Sequence, residues 1–246
     1  MTKRLKKLFK RSALATGLIA IARGARSDFH VLTWTLKRTR EITGYIKTAE
    51  VKKLHLGASH NYLDGWLNTD VVPSSRMVYL DVTTRFPLDD NTVDYVFAEH
   101  LIEHIDYEDA LTMLRESWRV LKPGGRIRIA TPNLEILIGL HTRSRTEAQQ
   151  NYVDWIVDHC LSSVDSCKEV FVINNAFRAW GHRFLYDFAT LKVTLSTTGF
   201  TDIRCYRPGD SADPHLLGLE AHGDEIGNEE INQFETFVIE GQAAKR

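Results

Sequence analysis

The chain is short of the features that mark several protein classes. Its 246 residues include three cysteines, Cys160, Cys167 and Cys205, and no Cys-x-x-Cys pair. That leaves neither a closed disulfide set nor a cysteine zinc site, and it points to a reducing compartment, the cytoplasm. No run approaches the roughly eighteen apolar residues of a membrane-spanning helix; the mild stretch Ala13 to Ala22 is broken by Thr16 and Gly17. Acidic side chains are missing before Asp28, although Lys3, Arg4, Lys6, Lys7, Lys10 and Arg11 stand there. After the first expected strand the chain reads Gly57-Ala58-Ser59-His60-Asn61-Tyr62. It lacks the Gly-x-Gly-x-x-Gly of a nicotinamide-dependent dehydrogenase.

What remains is ordinary globular material, 43% hydrophobic and 26% charged. The 31 basic and 32 acidic residues leave a net charge of −1, but they are not mixed. Fourteen bases and three acids lie at or before Lys53, and seventeen bases and twenty-nine acids follow it. The expected organisation is a basic helical extension over residues 1–52 and a folded domain over residues 53–246. In the extension, Leu5, Leu8, Phe9, Ser12 and Ala13 share one helical face, the pattern of a helix lying on an anionic membrane through residues 3–22, here at the inner face. A solvated basic helix docked on the rest of the chain fits the same pattern. The bases are not interleaved with aromatics and the body is acidic, so no nucleic-acid partner is expected. Nothing in the sequence sets an oligomeric state.

From Ser27, read as an N-cap, a helical pattern passes through Phe29, Leu32 and Leu36 to Ile46. Beyond Lys53 short apolar runs alternate with amphipathic ones. Leu54–Leu56, Trp66–Asn68, Met77–Leu80, Tyr95–Phe97 and Ile127–Ile129 are strand candidates, with Thr201–Tyr206 and Glu235–Glu240 as closing strands. Helical spacing over Tyr107–Leu121 stops at Lys122-Pro123-Gly124-Gly125, read as a turn, and further helices span Glu147–Cys160 and Phe188–Thr198. The segment Cys167–Tyr186 has no clean period and reads as an excursion covering a site. Strands separated by helices require crossovers, hence an α/β fold with a mainly parallel sheet.

In such a sheet ligands sit beyond the carboxyl ends of the strands. The residues there are Gly57-Ala58-Ser59, Asp70, Asp81-Val82, Glu99-His100 and Thr131-Pro132-Asn133. A glycine admits a ligand to the backbone; one acid can accept from ribose hydroxyls and the next from an adenine amino group. Together they describe a nucleoside pocket, although each Asp alone is as readily a turn residue.

The runs Leu54-His55-Leu56-Gly57, Gly65 to Asp70, Tyr79-Leu80-Asp81, Phe86 to Phe97, Glu99 to His104 and Arg119-Val120-Leu121-Lys122-Pro123-Gly124-Gly125 resemble the class I S-adenosylmethionine-dependent methyltransferases of small molecules. The resemblance covers roughly residues 53–133. Trp180-Gly181-His182, Leu185-Tyr186 and Gly218 to Gly223 look like predicted methyltransferases of surface-polysaccharide synthesis. The resemblance implies a Rossmann-like seven-stranded sheet with helices on both faces. It implies S-adenosylmethionine bound by Gly57, Ala58, Ser59, Asp70, Asp81, Val82 and Glu99, and O-methylation of a sugar, glycan or other small hydroxylated acceptor. The usual acid of the first motif is replaced by His55 and a second glycine by Ser59, so Glu99, the backbone around Gly57 or a water must hold the cofactor's amine.

For an alcohol acceptor a general base is expected at His100, with His182 second; both can equally serve as packing histidines. His100-Leu101-Ile102-Glu103-His104 also reads as the His-x-x-Glu-His of some zinc peptidases, which makes a metal-dependent hydrolase one alternative. A scaffold with the fold but without turnover, suggested by His55 and Ser59, is another. No metal is required on the main reading. Some O-methyltransferases carry a Glu-x-x-Glu-His metal site at this place, and a divalent ion on His100, Glu103 and His104 is the option their resemblance leaves open.

Overall fold

The computed structural model describes residues 13–161, 164–166 and 168–244, with side chains from Val31 onward. The basic residues before Ala13, and with them half of the expected membrane-contact segment 3–22, lie outside the described residues. No helix among those described is long and apolar enough to cross a membrane.

A single helix, α1 (Ala13–Thr48), replaces the two expected helical stretches. Ser27 is therefore no N-cap: the backbone ladder continues through it, so no amide there awaits a cap. The end of α1 is fastened to the domain. Ile42 is buried in the main core, Trp34 stacks on Tyr79 at 5.9 Å, and the Tyr45 hydroxyl donates to the Lys53 carbonyl (3.0 Å) while accepting from the Lys53 amide (2.8 Å).

Seven strands follow: β1 (Lys53–Leu56), β2 (Leu67–Asp70), β3 (Val78–Tyr79), β4 (Val93–Glu99), β5 (Leu121–Pro132), β6 (Phe200–Tyr206) and β7 (Thr236–Ala243). They form one sheet in the order β3-β2-β1-β4-β5-β7-β6. The first five are parallel, and β7 runs antiparallel to both β5 and β6. Helices lie on both sides, as a crossover-connected parallel sheet demands. The central strands are apolar because both their faces are covered: Leu54, Leu56, Val96, Phe97, Ile127 and Ile129 are all fully buried.

Helix α2 (Tyr107–Val120) buries Ala110, Met113, Leu114 and Ser117 against the sheet. Lys122–Gly125 does not simply turn the chain. Val93 pairs with Leu121 and Tyr95 with Arg126, so these residues bulge out of a strand that continues on both sides, with Gly124 at φ +83°. A short α3 (Leu134–Gly139), then α4 (Glu147–Cys160) and α5 (Lys168–Arg178), form a second core around Tyr152, Ile156, Val172 and Leu185. Helix α5 corrects the reading of Cys167–Tyr186 as irregular: Val172 and Ala176, four residues apart, are its buried positions. Helix α6 (Phe188–Thr198) ends at Gly199 as expected, and α7 (His222–Ile226) and α8 (Glu229–Glu235) lead into β7.

Candidate active site

The parallel strands β1, β2 and β4 all end on the same edge, and a cavity of about 390 Å³ opens there. Gly57, Ala58, Ser59, Asn61 and Glu99 line one end of it, and Trp155, Trp180 and His182 belong to the other. Gly57 takes φ +62° and Ser59 φ +43°; a Cβ on Gly57 would lie 2.8 Å from Leu101 Cδ1. The positive φ favours glycine, and a larger residue would also have to push the Leu101 side chain aside.

The expected cofactor residues divide. Asp70 accepts from the Ser59 amide (3.1 Å) with one oxygen and from the Val72 amide (2.7 Å) with the other, which fixes its carboxylate beside the Gly57–Ser59 turn. Asp81 binds the Thr83 amide and hydroxyl through Oδ1 alone, leaving Oδ2 with no partner among the described residues. Neither acid lines the enclosed cavity, and Val82 is a core residue whose side chain is buried.

Glu99, expected among the cofactor residues, lines the cavity and is also bonded within the chain. Instead of presenting a bare carboxylate to a cationic ligand, it accepts from Asn61 Nδ2 (2.9 Å), the Ala221 amide (2.9 and 3.1 Å) and the His222 amide (2.9 Å). These bonds hold the 219–222 segment onto the sheet edge and leave Glu99 with about one acceptor site toward the cavity it lines. That segment is pinned a second time by Glu220, which forms a two-pronged ion pair with the fully buried Arg128 (2.7 and 2.8 Å); Arg128 also bonds Glu240 (2.6 Å). Taking a guanidinium out of water is costly, and these carboxylates offset that cost.

His55, standing where the resemblance expects an acid, is buried between Trp66 and Phe97 and bonds Asn68 Oδ1 through Nδ1 (3.0 Å). Burial, opposed by the Asn68 bond and the charge of Asp70, brings its pKa down to about 4. The site therefore has a neutral imidazole in place of a carboxylate.

His100 lies just past β4 with φ +44°, and its ring is fixed at both nitrogens. Nδ1 meets Glu103 Oε1 at 3.1 Å and Nε2 meets Thr236 Oγ1 at 3.2 Å, while the ring packs against His222 with centroids 3.9 Å apart. Burial lowers the His100 pKa, but the hydrogen bond and charge of Glu103, with Glu235 and Glu99 behind it, outweigh that and hold it above the ordinary histidine value. Burial likewise works against the Glu103 carboxylate, and its bond to His100 and that ring's charge bring it below the usual range.

His182 reaches the same place from far along the chain. The Glu103 carbonyl accepts from the Arg183 amide (2.7 Å) and the Phe184 amide (3.2 Å), drawing residues 180–186 onto the turn Ile102–His104. The His182 ring stands edge-on to His104 with centroids 5.0 Å apart. Its Nδ1 donates to the Ala176 carbonyl (2.7 Å), so Nε2 carries the lone pair, and burial holds the pKa below the ordinary value. The arrangement of His100 and His104 around one ion, needed by the hydrolase alternative, is not formed. Among the described residues the group able to share an ion is Glu103, His104 and His182. The sequence reading missed Asn61, Tyr152, His222 and Glu235, which complete the cavity; Tyr152 donates to Glu235 (2.7 Å) and His222 Nε2 lies 3.3 Å from it.

Residues 59–129 match the family model described as a methyltransferase domain. Among curated proteins no sequence matches. Solved structures similar in fold include a methyltransferase of Archaeoglobus fulgidus that depends on S-adenosylmethionine (15% identity, 86% of this chain and 93% of that one, TM-score 0.44). Another is a chain from the complex of the Haloferax volcanii Trm112 methyltransferase activator with its methyltransferase (15%, 92% and 97%, 0.43). A third is the phosphoethanolamine N-methyltransferase 2 of Haemonchus contortus, with S-adenosylhomocysteine bound (14%, 79% of this chain, TM-score 0.40); this chain spans 49% of its length. Likenesses this remote assign neither acceptor nor partner. The matched segment, less than a third of the chain, begins just after β1 and contains the ends of β2 and β4 and the carboxylates of Asp70, Asp81 and Glu99 beyond the strands.

Proposed function

We propose that the chain methylates a hydroxyl group of a small, uncharged, hydroxylated acceptor such as a sugar or glycan, with S-adenosylmethionine as donor. The observation that carries this reading is the order of groups along one sheet edge. The Gly57–Ser59 turn and the Asp70 and Asp81 carboxylates stand at one end, the His100–Glu103 pair in the middle, and a cavity walled by Trp155, Trp180 and His182 beyond it.

The residues fit the cofactor in part. Asp81 Oδ2 is open, and Asp70 keeps acceptor capacity on each oxygen for ribose hydroxyls. With Glu99 mostly engaged and His55 neutral, the backbone around Gly57 and the remaining acceptor site of Glu99 are left to hold the amine. When bound, the cofactor supplies a methyl group on a positively charged sulfur.

The chain's own residues then align and deprotonate the acceptor. As the acceptor oxygen takes the methyl, its proton passes to His100 Nε2, which gives up its contact with Thr236, while Glu103 holds Nδ1 and balances the imidazolium charge. Among the described residues no lysine or arginine lines the cavity, whereas Glu99, Glu225 and Glu235 do. These carboxylates disfavour a phosphorylated or carboxylated acceptor, which would find no fixed lysine or arginine to pair with.

The test is transfer of tritiated methyl from S-adenosylmethionine to a panel of neutral sugars and glycans, with their phosphorylated counterparts. Transfer to a neutral acceptor that falls about 10²–10⁴-fold in His100→Gln, with cofactor affinity kept, supports the reading. Transfer confined to phosphorylated acceptors, or unchanged in His100→Gln, overturns it.

A further inference from the structure

We infer that Glu103, His104 and His182 form a binding site for one divalent transition-metal ion, zinc in the first instance, on the wall of the cavity. The ligand atoms of these three side chains all lie within 4.8 Å of one another. Two ligands on a common tetrahedral zinc stand roughly 3.3 Å apart, given bonds of about 2.0–2.1 Å. Small side-chain rotations close the difference.

The surroundings are those of a metal site. Each ligand needs an unshared electron pair directed at the ion and an outer contact that holds it there. The Nδ1–H of His182 bonds the Ala176 carbonyl, which leaves the unshared pair on Nε2. Glu103, wholly buried, is steadied by Thr131 Oγ1 (3.0 Å) on one oxygen and by His100 Nδ1 on the other. The His104 side chain has no hydrogen bond to any described residue, and Gly181, at φ +81°, leaves room beside its Nδ1, where an added Cβ would lie 3.6 Å away. Two neutral nitrogens and one carboxylate are a borderline ligand set that suits zinc, with cobalt and iron(II) behind it. Both histidines line the cavity, so a fourth position opens toward it.

This set is not the one the local sequence offered: His100 drops out, held between Glu103 and Thr236, and His182 enters from seventy-eight residues beyond His104. On the methyl-transfer reading, and resting on it, the open position would hold an acceptor oxygen opposite the cofactor end.

The experiment uses the full chain, stripped with chelator, with no cofactor or acceptor present, so its outcome is independent of methyl transfer. Zinc is titrated by calorimetry and cobalt by its visible absorption. Expected are one ion per chain and a thermal transition raised by zinc. Stoichiometric binding should be lost in His104→Gln and in His182→Gln, and Thr131→Val, which keeps the shape of the strand, should weaken it by roughly 10–100-fold. His159→Gln, at an exposed site, should change nothing. No binding by the wild-type chain at millimolar zinc, or binding untouched by both ligand substitutions, overturns the inference.

Discussion

His55 provides a quantitative test of how the first motif is built. Its folded pKa is about 4 because the ring is sealed between Trp66 and Phe97, against 6.5 for the same ring in the unfolded chain. The folded state thus resists a proton that the unfolded state takes. The resulting stability is complete above about pH 6.5 and is lost as the pH falls toward 4. The gap amounts to about 3.5 kcal/mol at roughly 1.4 kcal/mol per pKa unit. Carboxylates titrate in the same range, so the useful quantity is the difference between the wild-type chain and His55→Gln, which cannot take up the proton. Urea unfolding of both between about pH 7.5 and 4.5 should show the wild-type advantage shrinking by roughly 2.5 kcal/mol as acid is added. A difference that stays flat across that range would mean that His55 is solvated or protonated in the folded chain, and the account of a neutral imidazole at this place would be wrong.

Two further outcomes follow from the same packing. Gly57→Ala should cost about 1–2 kcal/mol in urea unfolding, because an L-residue is forced to φ +62° with its Cβ against Leu101, whereas Gly139→Ala, with 3.6 Å to its nearest neighbour, should not. Arg128→Met should cost about 3–5 kcal/mol by stranding the Glu220 and Glu240 carboxylates, and changing both to Gln in the same chain should restore most of it; a neutral Arg128→Met alone would contradict the buried network.

The fold was largely legible because its signals are local. Strands such as Leu54–Leu56, buried throughout, and Tyr95–Phe97, half-buried only at Tyr95, read as short apolar runs, and helix α2 shows its buried face at three- and four-residue spacing. Local signals failed where a neighbour decided the matter. Ser27 has the chemistry of a cap, but the helix runs on through it. Lys122–Gly125 has turn chemistry, but β4 pairs with the strand on either side of a bulge, at Leu121 and again from Arg126, where β7 joins it.

The site was legible only up to the strand ends. That Glu99 would be taken by the amides of Ala221 and His222, 122 and 123 residues away, has no trace in the sequence around either. His182 meets His104 because one carbonyl, that of Glu103, gathers the Arg183 and Phe184 amides, a contact no periodicity announces.

The central claim is that the edge formed by Gly57–Ser59, Asp70 and Asp81 binds S-adenosylmethionine. Isothermal titration of the wild-type chain with S-adenosylhomocysteine tests it most directly. The account predicts saturable one-to-one binding that weakens about ten- to a hundredfold in Asp70→Ala, the loss of charged hydrogen bonds worth roughly 1.5–3 kcal/mol. No heat at millimolar ligand, or equal affinity in a folded Asp70→Ala, would contradict it.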